Sequence, residues 1–455
     1  MNVNSYKNPL FLYDRSIMNE RFIIRGRRKL EGEIDVKGAK NSVGNLMMAT
    51  LLTDEQCVLT NVPDNKETEI VAGICEHIGS AIRREGDTLR IHTPEIKNFR
   101  VTELSRKNRI PILALGPLLV RSREAEVPLV GGDRIGPRPV DFHIVALEKL
   151  GAELSVTDSA YVARAPRGLF GTKIILPYPS VGATQNIILS AVRAKGKTVI
   201  ANAAVEPEII DLIRMLQDMG GIIGLNPGRV IEIEGVQRLR GVTHRLIPDR
   251  LEAASFAMLA AATDGDICVE GAVQDHLVPF LNAFRKIGGE YDIDDSGIRF
   301  YRKFSSSGPL FPIEIETDTF PGFVTDWQQP FAVLLTQSGG RSAIHETVYE
   351  DRFNYVEDLR MMGADMAVHS RCFGVLPCRF QGKGYNHTCV ISGPTPLNPA
   401  RIEMRDIRSG MAHMVAAFIA DGVSEITGVE HIDRGYEKID ERLRAVGADI
   451  ERINQ

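Results

Sequence analysis

The most unusual stretch of this 455-residue chain is a glycine- and proline-rich loop, GGDRIGPRPVD, at Gly131–Asp141. The paired glycines let the backbone approach a ligand closely, and Pro137 and Pro139 stiffen the path on either side of Arg138. A plain turn needs none of these features. The loop therefore predicts a ligand-binding segment in which Arg138 has a fixed direction, and a solvated loop with charges for solubility is the simpler alternative.

Other cationic residues lie near the ends of predicted helices. The tetrapeptide GAKN, Gly38–Asn41, precedes an apolar helix, where an ammonium group, an amide and exposed backbone N–H groups can bind an anion. A surface lysine with a capping asparagine is the ordinary alternative. Guanidinium groups bind carboxylate or phosphate through two parallel hydrogen bonds, which solubility does not require. The sequence therefore predicts that Lys40 belongs to a dispersed cationic cluster with three arginines, Arg109, Arg138 and Arg408.

One carboxylate occupies a comparable position. Asp326, in the segment PGFVTDWQQP, lies where a later apolar helix begins, and helix capping is its ordinary role there. Lys40 and Asn41 stand at the same point of the first such helix and Arg408 at that of the last. We expect these side chains to converge on one cleft if the helices of each domain point their N-termini at the other domain, and the helix dipoles would then favour an anion there.

The elements that must position these residues end in a recurring signal. In six places two or three apolar residues are followed by Gly, a small residue and a new apolar run, roughly 70 residues apart. Glycine adopts the left-handed conformation that often ends a helix. Each copy therefore predicts a helix C-cap followed by a strand: Gly79, Gly151, Gly220, Gly288, Gly363 and Gly447.

Each cap is preceded by an apolar stretch and then a strand-like run. The apolar stretches are Leu46–Leu52, Ile110–Val120, Ile187–Ala194, Ala253–Ala262, Pro330–Thr336 and Met411–Ala420. The strand-like runs begin at Cys57, Glu126, Lys197, Asp266, Arg341 and Val423. The chain is predicted to be an α/β protein of six repeated helix, strand, helix, strand units.

A chain of this length usually forms more than one core, so we expect two similar domains of three units each. The boundary is expected near Arg238–Asp249, a polar segment with a proline close to its end. The residues Arg21–Gly38 form a further predicted strand pair that fits either half.

Composition excludes several classes of function. A net charge of −5 without a basic block argues against a nucleic-acid partner. No apolar run reaches the roughly 18 to 20 residues that span a bilayer, and Met1–Asn19 lacks a signal-peptide core, so we expect a cytoplasmic protein with no membrane partner. The six cysteines show no CxxC spacing and are interpreted as reduced thiols rather than disulfides or metal ligands.

Nine segments in the same order resemble the UDP-N-acetylglucosamine 1-carboxyvinyltransferase family of enolpyruvyl transferases, which open peptidoglycan precursor synthesis. They cover nearly all of the chain from Arg21, and each is weak alone. The segments are GAKN, Leu129–Glu153, PSVGATQN (Pro179–Asn186), Asn202–Leu212, IPDRLEAASF (Ile247–Phe256), PGFVTDWQ (Pro321–Gln328), EDRF (Glu350–Phe353), RDIRSG (Arg405–Gly410) and His431–Ala448. The related 5-enolpyruvylshikimate-3-phosphate synthases share the fold without the GGxxIGxRP loop or the HIDRGYE segment.

The resemblance implies a two-domain inside-out α/β barrel between whose halves the chain crosses twice. Residues 40–247 would form one domain, residues 21–39 with 248–455 the other, and residues 1–20 an extension. The implied reaction moves the enolpyruvyl group of phosphoenolpyruvate to the 3-hydroxyl of the sugar and releases phosphate, with no metal or organic cofactor. The small molecules are the implied partners, in the service of cell wall synthesis, cell shape and division.

The resemblance also assigns roles by motif. Asp133 would be the acid that protonates the methylene carbon, and Asp326 the base at the sugar hydroxyl. Lys40, Arg138 and Arg408 would hold phosphoenolpyruvate, with Arg109 and Arg352 supporting its charge. The residues expected on the UDP-sugar side and elsewhere at the substrates are Asn41, Pro139, Val140, Asp141, Phe142, Ser180, Val181, Gly182 and Val348.

Asp133 departs from the usual family pattern. Most members carry a cysteine there, whose thiol is alkylated by the epoxide antibiotic fosfomycin, although some have aspartate. A carboxyl group with a raised pKa can still donate the proton, but it is a much poorer nucleophile toward an epoxide. The sequence predicts an active, fosfomycin-insensitive enzyme.

Lesser departures leave the acceptor open. Val324 replaces a common proline, and Trp327 adjoins the expected base and could change the acceptor. An enolpyruvyl transferase acting on shikimate 3-phosphate or another UDP-sugar is one alternative, although PSVGATQN favours a nucleotide sugar. A UDP-sugar-binding regulator without catalysis is another, against which the complete charge set argues. The oligomeric state stays open.

Overall fold

A computed structural model describes residues 20–101, 109–129, 131, 139–302, 308–376 and 378–454 of the chain. Over these ranges the chain is a mixed α/β protein. Its helices are α1 Lys40–Thr50, α2 Lys66–Ile78, α3 Leu115–Ser122, α4 Asp141–Lys149, α5 Val181–Ala191, α6 Pro207–Asp218, α7 Arg250–Ala262, α8 Val278–Lys286, α9 Thr325–Leu335, α10 Val356–Met361, α11 Ile407–Ile419, α12 Val429–Asp433 and α13 Ile439–Ala445. Short 3₁₀ helices cover Ile110–Ala114 and Gln274–His276.

The strands are short, from three to six residues. In chain order they are β1 Glu20–Arg25, β2 Glu31–Asp35, β3 Cys57–Thr60, β4 Ala81–Glu85, β5 Thr88–His92, β6 Glu124–Pro128, β7 Glu153–Val156, β8 Ala160–Arg164, β9 Lys173–Ile175, β10 Lys197–Ala201, β11 Ile222–Asn226, β12 Val230–Glu234, β13 Thr243–Arg245, β14 Asp266–Glu270, β15 Gly289–Ile293, β16 Gly297–Arg302, β17 Glu314–Glu316, β18 Gly340–His345, β19 Asp365–His369, β20 Thr388–Gly393, β21 Arg401–Glu403, β22 Val423–Thr427 and β23 Asp449–Asn454.

Among the described residues these strands form six separate sheets, five of four strands and one of three. In order they are β13-β3-β5-β4, β6-β8-β7, β11-β12-β10-β9, β15-β16-β14-β2, β17-β18-β20-β19 and β21-β22-β1-β23. In the fifth sheet, for example, β18 pairs parallel with the short β17 and antiparallel with β20, which pairs antiparallel with β19. None of these sheets closes on itself among the described strands, so the barrel expected from the resemblance is not a closed one. The strands are too short and too few in each sheet to form a ring.

The predicted helix caps are confirmed. All six glycines follow a helix and have φ between 95° and 131°. A strand begins within two residues after each of them. The local prediction succeeded because a positive φ is costly for every residue except glycine.

The apolar stretches form helices buried on every side. In α11 all 13 residues are buried, and α1, α5, α7 and α9 are nearly as enclosed. A helix that is apolar all round must lie inside a core. These five helices therefore occupy the interior, and the sheets, with alternating buried and exposed residues, lie outside them.

Two hydrophobic cores account for this interior. One contains buried residues from Val43 to Leu246, and the other contains Phe22 to Val36 together with Leu251 to Ile450. The N-terminal strands were predicted to pair with each other, and this prediction is wrong. They join two different sheets, in which β1 pairs with β22 and β23, and β2 pairs with β14. Both of these sheets belong to the second core.

The chain passes between the cores at two adjacent segments. The Ala39 N–H donates to Ile247 O at 2.8 Å, and the Asp249 N–H donates to Lys37 O at 2.9 Å. The connections thus run side by side as one short antiparallel bridge, close to the boundary expected at Arg238–Asp249. Within the described ranges, no helix combines the length and apolarity needed to cross a membrane.

Candidate functional site

A cavity of about 450 Å³ lies between the two cores where several helices begin. Lys40 starts α1, Asp326 lies in the first turn of α9, and Arg408 lies in the first turn of α11, and all three line this cavity. The convergence expected from the sequence is confirmed. Because helix N-termini carry partial positive charge, the cavity favours anions.

Lys40 is held between both halves of the chain. Its backbone N–H donates to Asp249 Oδ2 at 3.0 Å, and its Nζ lies 3.5 Å from Glu67 Oε1. The other oxygen of Glu67 accepts from Arg434 at 3.3 Å. The nearly buried carboxylate of Glu67 therefore keeps the Lys40 ammonium group in the cavity, and Glu67 is itself bound by Arg434 of the second core.

Asp326 is surrounded by cations. Its carboxylate accepts from Arg352 at 2.6 Å and lies 3.7 Å from Arg408. Burial favours the neutral acid, but the charges of Arg408, Arg352, Arg250 and Lys40 outweigh it and hold the pKa of Asp326 below its usual range. Asp326 is therefore a carboxylate that can accept a proton, with part of its surface open to the cavity.

Asp406 positions Arg408 through the end of α11. The Asp406 carboxylate caps the helix by accepting from the Arg408 and Ser409 N–H groups at 2.9 and 3.1 Å. Burial disfavours the charged form of Arg408, yet Asp326 and Asp249 raise its pKa. The guanidinium group is thus fixed as a permanent cation beside Asp326.

Helices α4 and α5 form another wall of the cavity. Ser180 caps α5 by accepting from the Ala183 N–H at 3.4 Å, and Arg109 donates to Pro139 O at 3.5 Å. A Cβ atom at Gly182 would lie 3.2 Å from the ring of His143. Burial and the Arg109 charge lower the pKa of His143 to about 3, so this wall stays neutral there.

The predicted residues fall into three groups. Those that line the cavity are Lys40, Asn41, Arg109, Pro139, Asp141, Phe142, Ser180, Val181, Gly182, Asp326, Val348, Arg352 and Arg408. Val140 does not line it, because this residue precedes α4 with its side chain packed into the core. Asp133 and Arg138 lie outside the described residues, so their predicted roles remain predictions.

Trp327 requires a correction. The sequence suggested that it could alter the acceptor because it adjoins Asp326. Its side chain is fully buried and packs against Phe280 and Phe323 at centroid distances of 5.6 and 5.5 Å. Neighbours in a helix point in different directions, so Trp327 lies in the core while Asp326 faces the cavity.

Sequence reasoning missed a buried ion pair across the cleft. Arg250 of α7 binds Glu208 of α6 through two hydrogen bonds of 3.0 and 3.2 Å, and both residues line the cavity. Beside them, burial raises the pKa of Glu206 to about 7, although Arg250 opposes the shift. Both residues of the ion pair lie inside segments that carry the family resemblance. Their pairing was not predicted because the two segments are distant in the sequence and nothing local shows that they meet.

A rim contact was also missed. The Arg379 guanidinium stacks 4.5 Å from the centroid of Tyr178 and donates to Val348 O. Arg379 also lies 3.8 Å from Glu350. At the rim, a loop of the second core therefore contacts a tyrosine of the first. No sequence motif indicated this contact.

Solved structures with the same fold define the class of protein. The enolpyruvyl transferase NikO from Streptomyces tendae superposes with a TM-score of 0.84 at 21% identity, covering 96% of this chain and 99% of that one. An EPSP synthase from Acinetobacter baumannii superposes with a TM-score of 0.74 at 18% identity, covering 96% and 100%. The fold is that of the enolpyruvyl transferases.

Sequence comparison identifies the family more specifically than the shared fold does. Residues 24–443 match the EPSP synthase (3-phosphoshikimate 1-carboxyvinyltransferase) family model. UDP-N-acetylglucosamine 1-carboxyvinyltransferases from Protochlamydia amoebophila and Chlamydia abortus are 44% and 45% identical, covering 95% and 92% of this chain and 94% and 95% of theirs. An enzyme numbered 2 of the same name from Carboxydothermus hydrogenoformans is 39% identical over 96% of this chain and all of its own. Within that wider family, the chain belongs to the UDP-N-acetylglucosamine 1-carboxyvinyltransferase family.

Proposed function

We propose that this protein transfers the enolpyruvyl group of phosphoenolpyruvate to the 3-hydroxyl of UDP-N-acetylglucosamine and releases phosphate. The observation that carries the proposal is the convergence of Asp326 with Lys40, Arg352 and Arg408 in one cavity between two cores. A proton acceptor amid fixed cations suits a reaction that joins a hydroxyl group to a highly anionic substrate. The membership of the family supports the same reaction.

In the addition step, Asp326 takes the proton of the sugar hydroxyl as its oxygen bonds to C2 of phosphoenolpyruvate. Asp133 delivers a proton to the methylene carbon, which becomes a methyl group. In the elimination step the C2–O bond to phosphate breaks, a proton leaves the methyl group, and the double bond forms again. Lys40, Arg138 and Arg408 bind the phosphate and carboxylate groups throughout, and Arg109 and Arg352 support the charge.

Substrate binding also prepares Asp326. The surrounding cations depress its pKa, which weakens it as a base. An anionic substrate between Lys40 and Arg408 offsets part of their pull. The pKa of Asp326 then rises toward its ordinary value, and the carboxylate becomes a better proton acceptor once the substrate is in place.

The acceptor binds along the wall formed by α4 and α5. Asn41, Asp141 and Ser180 offer hydrogen bonds, while Val181 and Gly182 let the sugar nucleotide lie close to the start of α5. No metal or organic cofactor takes part in the reaction. The enzyme acts in the cytoplasm at the start of peptidoglycan precursor synthesis, and Asp133 makes it insensitive to fosfomycin.

The scaffold is two domains, residues 40–247 and residues 21–39 with 248–455, each built from three copies of one unit with helices inside and sheets outside. The change of core at the two adjacent chain crossings supports the domain limits. Five of the six sheets combine one parallel edge strand with two antiparallel pairings, which supports the repeat, while the described strands of the sheet β6-β8-β7 have only the antiparallel pairings.

The test is product analysis by mass spectrometry after incubation with both substrates. We expect the enolpyruvyl ether of UDP-N-acetylglucosamine and phosphate in equal amounts. Phosphate released without the sugar nucleotide, or a sugar nucleotide recovered unchanged, would refute the proposed transfer. Protein omitted from one reaction provides the control for non-enzymatic hydrolysis.

A further inference from the structure

Four metal-ligating side chains cluster outside the cavity. His345 ends β18, His387 precedes β20, and Cys372 and Cys378 lie in the connection between β19 and β20. One nitrogen or sulfur atom from each lies within 4.8 Å of the other three. None of the four lines the cavity, so the cluster is separate from the proposed reaction.

His345 presents an unused nitrogen to this cluster. Its Nδ1 lies 3.0 Å from Glu316 Oε2, and since a carboxylate accepts, Nδ1 carries the proton. Its Nε2 is buried and has no hydrogen-bond partner, while only 3% of the side chain is exposed. A buried nitrogen lone pair without a partner is costly, and a metal ion would satisfy it.

His387 is held in the same tautomer. Its Nδ1 donates to Tyr385 O at 2.6 Å, because a carbonyl oxygen can only accept. The lone pair of Nε2 is therefore left toward the cluster, 3.2 Å from Cys372 Sγ. Both imidazoles thus present Nε2 and use Nδ1 for a second hydrogen bond, as metal-bound histidines do.

We propose that His345, Cys372, Cys378 and His387 bind one Zn²⁺ ion in a tetrahedral site. Two thiolates and two imidazoles form a typical structural zinc site, in which ligand atoms lie roughly 3.3–3.8 Å apart. The separations in the cluster reach this range after a small contraction. Binding releases the two thiol protons, and the two thiolates balance the charge of the ion.

The surroundings of the cluster already hold the ligands. Glu316, which orients His345, also accepts from the Val375 and Leu376 N–H groups at 2.7 and 3.1 Å. The Phe380 ring lies 5.9 Å from that of His387. One carboxylate therefore fixes both a ligand and the loop between the two cysteines, as outer groups of zinc sites commonly do.

The zinc is structural. Four protein ligands leave no open position for water or substrate. The ion joins β18 to the connection that carries Arg379, the residue after Cys378, which stacks on Tyr178 at the cavity rim. The site thereby fixes a loop that contributes to the cavity, and it does so whatever reaction the cavity performs.

Zinc content tests the proposal directly. The full-length protein is purified from zinc-supplemented culture, dialysed against metal-free buffer and analysed by mass spectrometry for metals. We expect about one zinc per chain in the wild type and less than about a tenth in the Cys372→Ser/Cys378→Ser double variant. Cys268→Ser, which changes a cysteine on β14 outside the cluster, is the matched control and should keep the wild-type content.

A second readout needs no variant. Co²⁺ added to the metal-free wild type should give thiolate-to-cobalt charge transfer and the strong visible bands of tetrahedral coordination. Metal removal should also speed tryptic cleavage in the β19–β20 connection, where Arg371 and Lys383 are exposed. Wild-type protein that takes up neither zinc nor tetrahedral cobalt overturns the proposal.

A disulfide between Cys372 and Cys378 is the competing outcome. All six cysteines should react with a thiol reagent in the denatured, chelator-treated protein. Loss of two reactive thiols from the wild type, restored by reductant, would identify a disulfide and overturn the zinc site. Undiminished zinc in the double variant would overturn the assignment of the ligands.

Discussion

At the scale of single residues, the cavity works through opposed charges held at short range. Asp326 remains a carboxylate because Arg408, Arg352, Arg250 and Lys40 surround it. Those cations are themselves oriented by carboxylates, Glu67 for Lys40 and Glu208 for Arg250. The cavity thus keeps a proton acceptor and anion-binding groups in place before substrate arrives, which is the form that electrostatic catalysis takes.

Asp326→Asn tests the proton acceptor. The amide keeps a hydrogen bond to Arg352 but cannot take up a proton, so we expect turnover to fall by roughly 10²–10⁴-fold. Binding of the sugar nucleotide should change little, whereas the thermal unfolding midpoint should fall, because the amide no longer balances the charges of Arg352 and Arg408. Turnover is measured by product formation under saturating substrates, and a rate near that of the wild type would show that another group is the base.

Asp133 determines the predicted response to fosfomycin. Incubation with the epoxide should leave the wild type active, while Asp133→Cys should be inactivated with time and carry the covalent adduct in the intact mass, since a thiolate attacks an epoxide far better than a carboxylate does. Inactivation of the wild type at the rate of the cysteine variant would refute this prediction. Asp133→Asn, which offers neither a thiolate nor an acid, is the matched control for loss of activity without labelling.

Glu206 should make stability depend on pH. Its folded pKa of about 7 exceeds the value of 4.5 for a free side chain, so the folded state holds the proton more tightly. This contribution to stability is complete below the unfolded pKa and is lost as the pH rises through the folded one. Glu206→Gln should therefore reduce the loss of unfolding free energy between about pH 5 and about pH 8 by on the order of 2 kcal/mol. Urea unfolding at both pH values measures it, and equal losses in the two proteins would be contrary to the stated pKa.

At the scale of elements, glycine and the helix N-termini do most of the positioning. At each cap glycine an outer helix ends and the chain continues as a strand. The first turns of the central helices lie at the cavity. Asp249 and Asp406 cap α7 and α11 by accepting from backbone N–H groups in the first turn. In α11, a short side chain outside the cavity thus fixes the turn of backbone that carries Arg408.

Gly220→Ala tests a cap without a packing change. Its φ is +100°, and an added Cβ would meet no atom within 4 Å, so only the backbone conformation opposes the substitution. We expect a loss of about 1–2 kcal/mol in the free energy of unfolding. Gly224→Ala, four residues further on in β11 and also in open space, lacks the positive φ and should change stability by less than about 0.5 kcal/mol. Chemical denaturation measures both, and equal effects would contradict the role of the cap.

The helices, strands and helix caps were predicted well from the sequence because the patterns that indicate them are local. Glycine at the caps, apolar runs for buried helices and alternating runs for strands each depend on a few neighbouring residues. The direction of Trp327, the burial of Val140 and the pairing of Arg250 with Glu208 were not predicted, because they depend on how distant segments pack. The cluster of His345, Cys372, Cys378 and His387 escaped for the same reason, since its ligands have no short, regular spacing in the chain.

At the scale of the whole molecule, two cores share one cavity and few connections. The chain crosses between them at two adjacent segments, and ion pairs such as Arg434 with Glu67 bridge the cleft. Arg229 adds a bridge by donating to Phe320 O at 2.6 Å. Residues proposed to bind the sugar nucleotide come mainly from the first core, whereas Asp326 and Arg408 come from the second, so the complete site requires both.

The central claim is that this cavity joins phosphoenolpyruvate to a UDP-sugar. The most direct measurement is the rate of phosphate release from phosphoenolpyruvate with UDP-N-acetylglucosamine as acceptor, compared with shikimate 3-phosphate at the same concentration. We predict release that depends on UDP-N-acetylglucosamine and stays at the background rate with shikimate 3-phosphate. Release that responds only to shikimate 3-phosphate, or that fails with both acceptors, would contradict the account.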